Sequence, residues 1–169
     1  VTQFYVPRVM LDDIVHEEVA AAVPPGTIFV DVTLDESKGD RPNHDHAYWR
    51  MLAEIWAKGE DFAIIEHDVI CRPDVAEQFD ACPEPWCVFS YANMCHDACR
   101  EAWANMLGAT RFRAELIAAV PDALTSITKP EHLDWHNVCD GLGLNLRAAG
   151  YKHHWHTPHV AHHPWFASR

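Results

Sequence analysis

Short apolar runs alternate with amphipathic stretches along the first half of the chain. Phe4-Tyr5-Val6-Pro7-Arg8-Val9 has the aromatic and β-branched content of a strand. From Leu11 to Val23, apolar side chains at 11, 14, 15, 19 and 22 have helical spacing, and Pro24-Pro25-Gly26 stops the helix. Thr27-Ile28-Phe29-Val30-Asp31-Val32 is too short for a typical helix and reads as a buried strand that ends near an acid. The polar stretch from Leu34 to His46, with Gly39 and Pro42, reads as a loop above the strand ends. Tyr48 to Lys58 places Tyr48, Met51, Leu52, Ile55 and Trp56 on one helical face, with Gly59 as its C-cap. Phe62-Ala63-Ile64-Ile65 is the clearest central strand, with charge on both sides.

The second half is less regular. A short helix over Asp74 to Phe79, a turn at Cys82-Pro83-Glu84-Pro85 and a strand over Trp86 to Tyr91 follow in order. Residues 99–107 and 111–120 read as helices on either side of Gly108, and His132 to Ala149 as another despite Gly141 and Gly143. Tyr151 to His156 is expected as a last strand and Thr157 to Arg169 as a tail. Strands alternating with helices predict an α/β fold with a mainly parallel central sheet, right-handed crossovers and ligands at the carboxyl ends of the strands. Asp31 and Glu66-His67-Asp68 fall at two such ends.

Length and charge narrow the function classes. The 169 residues suit a single domain over 1–169, and 49% hydrophobic with 22% charged residues is a globular composition. A net charge of -12 argues against broad binding to phosphate backbones or anionic membranes. No apolar run approaches the roughly 20 residues of a membrane span, and Val1 to Tyr5 lacks signal-peptide character, so the expected location is cytoplasmic. The six cysteines are accordingly read as reduced thiols. Thirteen histidines, crowded toward the C-terminus, supply candidate metal ligands.

In an extended chain Glu66 and Asp68, at i and i+2, project to one side and can converge on one ion. Carboxylates are the hard donors that Mg²⁺ or Mn²⁺ prefers. An apolar strand, an acid, one residue, an Asp and then Pro73 resembles the D-X-D region of GT-A fold glycosyltransferases, which use nucleotide-sugar donors. Glu replaces the first Asp of the pattern, so Asp68 ranks above Glu66 as ligand. The resemblance implies a Rossmann-like GT-A fold and nucleotide recognition by Asp31, with Asp35 as fallback and Tyr5 and Arg8 flanking.

Downstream, Asp140 opens a segment ending in Ala149-Gly150-Tyr151, similar to the family segment whose Asp is the catalytic base of inverting members; Asp134 is the rival. His159-Val160-Ala161-His162 resembles the family's C-terminal metal-binding histidine, with His162 first and His163 and His159 as alternates. The implied activity is transfer of a hexosyl or related group, with Mn²⁺ or Mg²⁺, from a nucleotide sugar (a UDP-sugar first) to an acceptor hydroxyl. The acceptor is open between a small molecule, a glycan, a protein and a modified nucleic-acid base, and a homo-oligomer would enlarge so small an acceptor platform.

Three rival readings remain open. Cys82, Cys87, Cys95, His96 and Cys99 carry structural-zinc chemistry but lack paired C-x₂-C knuckles. Cys95 or Cys99 with His96 or His136 could form a nucleophile and base, though without a recognisable nucleophile-bearing turn. A His-rich metal-binding interaction module needs no catalysis at all.

Overall fold

A computed structural model describes residues 1–9, 17–32, 46–91, 107–129, 132–133 and 137–162. Residues 34–45 of the loop expected from Leu34 to His46, 99–106 of the helix expected over 99–107 and 11–16 of the helix expected from Leu11 lie outside the described residues.

Among the described residues, seven strands form one sheet in the order β2-β1-β3-β6-β5-β7-β4. β1 (Gln3–Val9) pairs in parallel with β2 (Ile28–Val32) and with β3 (Phe62–Ile65). β6 (Ala109–Phe112) runs antiparallel to both β3 and β5 (Trp86–Tyr91). β7 (His154–His162) is parallel to β5, and the two-residue β4 (Val69–Ile70) is antiparallel to β7. Only β6 and β4 therefore oppose the common strand direction. The sheet is mixed and mostly parallel, an α/β architecture flanked by helices.

The period of two sets the layers. All four residues of β3 are buried. Phe62 and Ile64 join a core with Tyr5, Trp86, Val88 and Phe112, under α2 (Ala47–Trp56), α4 (Ala114–Ala119) and α5 (Val138–Ala148). Ala63 and Ile65 face the other core, with Phe4, Val6, Cys87 and Phe89, against α3 (Val75–Ala81) and the end of α1 (Glu17–Ala22). Each large apolar side chain buried this way contributes about 1.5–3 kcal/mol. Polar groups fix the first helical layer: Trp49 and Trp56 donate their indole N–H groups to the carbonyls of Leu124 and Val120, and Asn145 donates to Ala123.

Three expectations change: the strand expected over Tyr151 to His156 is instead β7 over His154–His162, reaching into the segment expected as a tail. The helix expected over 111–120 is a strand followed by a shorter helix, because β6 fills the gap between β3 and β5 and all four of its residues are buried. The helix expected from His132 begins at Val138. It ends where Gly150, at φ +91°, allows the chain to reverse: the Gly150 N–H donates to Arg147 and the Tyr151 N–H to Leu146. Among the described residues no helix is long and apolar enough to cross a membrane.

Candidate functional site

β3 ends at Ile65, and the Glu66 N–H donates to the Gly108 carbonyl at 2.8 Å. The Val69 N–H then donates back to the Glu66 carbonyl at 3.0 Å, so Glu66-His67-Asp68-Val69 is a hydrogen-bonded turn. This corrects the extended geometry expected for Glu66 and Asp68. The charges lie within a turn that links β3 to β4, and Glu66, His67 and Asp68 are all half-buried.

Two buried groups respond to these carboxylates. Tyr48, in the first turn of α2, is fully buried. Its phenol is held well above its usual pKa, first by burial and then by the charges of Glu66, Cys139 and Asp68. Cys139, in the first turn of α5, is pushed up to about 12 by burial, with Glu66 and Asp140 adding to the effect. The turn after β3 and the starts of α2 and α5 are therefore near enough for Glu66 to act on both Tyr48 and Cys139, while Asp68 acts on Tyr48 and Asp140 on Cys139, its neighbour in sequence. Both helices run back along the sheet from this end, which is why their first turns meet the carboxyl edge of β3.

The other expected site residues divide into three groups. Arg8 and Asp31 are register partners near the ends of β1 and β2 and form a half-exposed ion pair at 2.5 Å, with the Arg8 guanidinium 5.8 Å from the centre of the Phe29 ring. Tyr5 is a core residue against Phe62 whose hydroxyl accepts a hydrogen bond from Lys58, beyond the end of α2. His162 is the last residue of β7, and its backbone is the register partner of Val69, the residue after Asp68. Asp35, Asp134 and His163 lie outside the described residues, as do Cys95, His96, Cys99 and His136.

The sequence pattern assigns no role to Tyr48 or Cys139. A Tyr at the start of an amphipathic helix, on its apolar face, is indistinguishable by pattern from core packing; only the tertiary placement puts it beside the carboxylates. No protein-family model matches the chain, and no curated protein matches it significantly.

Proposed function

We propose that this chain is a metal-dependent glycosyltransferase that moves a sugar from a nucleotide-sugar donor, a UDP-sugar first, to an acceptor hydroxyl with inversion at the anomeric carbon. The observation that carries this reading is that Glu66, at the end of β3, raises the pKa of both Tyr48 and Cys139, with Asp68 acting on Tyr48 and Asp140 on Cys139 beside it in sequence. Glu66 and Asp68 follow the carboxyl end of β3, where ligands of α/β proteins bind, and in this reading Asp140 at the start of α5 joins them.

The donor set fits a hard divalent ion. Partly buried carboxylates repel one another, and a cation between them removes that repulsion. Asp68 is the principal ligand in this reading, Glu66 assists, and His162 joins from the adjoining end of β7, with His163 as alternate. Mn²⁺ or Mg²⁺ bound there would neutralise charge on the leaving diphosphate.

The remaining roles belong to the chain's own side chains. Asp140 accepts the proton of the acceptor hydroxyl, with Asp134 the alternate, a contribution of about 10²–10⁴ in rate for a positioned base. Tyr48 remains protonated at neutral pH and adds no negative charge among the carboxylates. Arg8 and Asp31, half-exposed at the neighbouring strand ends, border the nucleotide, with Asp35 the alternate for its recognition.

A hydrolysis screen of nucleotide sugars, run with Mn²⁺ and with chelator, tests the proposal. The expected result is Mn²⁺-dependent release of nucleoside diphosphate that Asp68→Asn abolishes, while Asp140→Asn leaves donor binding intact and slows transfer. Failure of every donor to turn over, with Mn²⁺ binding unchanged in Asp68→Asn, would defeat it.

A further inference from the structure

We propose that Cys82, His154 and His156 form a second metal site, selective for Zn²⁺, at the end of the sheet opposite the carboxylates. One donor atom from each side chain lies within 4.8 Å of the others. Tetrahedral Zn²⁺, with bonds of about 2.0–2.3 Å, needs ligand atoms about 3.3–3.7 Å apart, so modest side-chain rotation closes the set.

The fold explains how residues so distant in sequence meet. Cys82 ends α3 in an extended conformation ahead of Pro83. His154 and His156, at i and i+2 of β7, share a face, and their register partners in β5 are Cys87 and Phe89 of the α3-side core. Trp86, one residue before Cys87, is level with Phe112 of β6, and Phe112 with Phe62, the first residue of β3. The cluster therefore sits near the start of β3, whereas Glu66 follows its end.

His156 supplies an independent sign of a ligand. It is only 9% exposed, yet its Nε2 is buried with no hydrogen-bond partner. Its ring stacks on Phe89 at 4.9 Å and meets Phe79 edge-on at 5.7 Å. A buried polar atom left unbonded is costly, and a metal ion would satisfy it. His154 is exposed and gives the ion a path to solvent.

Arg111 opposes a second cation here. Its buried guanidinium donates to the Cys82 and Glu84 carbonyls and to the Cys87 sulfur. Zn²⁺ is therefore held with Cys82 as thiolate, its proton released to solvent on binding. One thiolate and two imidazoles favour Zn²⁺ over Mg²⁺ or Mn²⁺, and three protein ligands leave a fourth position for water.

The proposal is independent of the transferase reading. Full-length protein is stripped with chelator, given Zn²⁺ alone, and its affinity measured by competition with a chromogenic chelator. One Zn²⁺ per chain is expected to bind at this site, unchanged in Asp68→Asn and weakened more than about 100-fold in His154→Gln, since even outer-shell changes cost 10–100-fold. Bound Co²⁺ is expected to show a sulfur-to-metal charge-transfer band that Cys82→Ser removes. His154→Gln changes an exposed position and keeps the test valid if Cys82→Ser fails to fold. Absent Zn²⁺ binding, binding indifferent to His154→Gln or lost in Asp68→Asn, or a Co²⁺ spectrum without the sulfur band would each overturn the proposal.

Discussion

Substituting Gly141 with alanine sets two measurable effects against each other at the residue next to Asp140. In an open helix the change stabilises by about 0.8–1 kcal/mol, because glycine has the greater backbone entropy to lose. Here a Cβ would stand 2.9 Å from Ile127 Cδ1 and 3.1 Å from both Ile127 Cγ2 and His132 Cβ. All three distances are well inside the 3.5–4.0 Å optimum for carbon pairs. Ile127 is buried and branched at Cβ, so one rotation does not clear both of its contacts, and His132 Cβ moves only with its backbone. Overpacking of this kind costs about 1–3 kcal/mol, leaving Gly141→Ala net destabilising by roughly 1 kcal/mol. In a domain of this size that lowers Tm by about 2–4 °C. Ile127→Val removes the closest contact, so alanine at 141 should cost less in that background, with a coupling of at least about 0.5 kcal/mol in a double-mutant cycle. Thermal and urea unfolding of the four proteins provide the measurement. A Gly141→Ala variant more stable than the parent would refute the reasoning, since helix propensity alone would then account for the site.

Two further outcomes are expected. Cys71, Cys87 and Cys139 are buried, and burial pushes each thiol up to about 12, so iodoacetamide at pH 8 should leave all three unmodified in the native protein and label them after unfolding; native labelling at Cys139 would show that the start of α5 opens. Arg111→Lys keeps the charge but loses the planar fork that reaches two carbonyls and a sulfur, so urea unfolding should show a loss of about 2 kcal/mol; a change under about 0.5 kcal/mol would mean that the fork is dispensable.

Elements whose pattern is local are legible in the amino-acid sequence. β3 and β5 begin and end where the apolar runs predict, and α2 follows its amphipathic face to within a residue or two at each end. β6 is not legible, because Arg111 at its centre looks like a solvated charge. Its guanidinium is accommodated by carbonyls 27 and 29 residues away in sequence, which no local window contains. β7 also runs farther than expected, from His154 through Pro158 to His162, because it breaks register near the proline. At the carboxylate end, the acids are readable as residue types, while the turn that holds Glu66 and Asp68 and the role of Tyr48 depend on tertiary contacts. Spacing groups Cys82 with the cysteines near it in sequence, whereas its partners lie on a strand at the other end of the chain. The two histidines at i and i+2 are the clue that the sequence does carry.

Between the pairs Phe89–His156 and Tyr91–Val160, β5 advances two residues while β7 advances four. The strand thus stores two residues of slack midway between its two ends. Deleting both would leave a continuous ladder with the flanking pairs unchanged, so the end at His154 and the end at His162 would stay where they are. The spacing of His154 and His162 along β7 is thereby uncoupled from the spacing of their neighbours along β5.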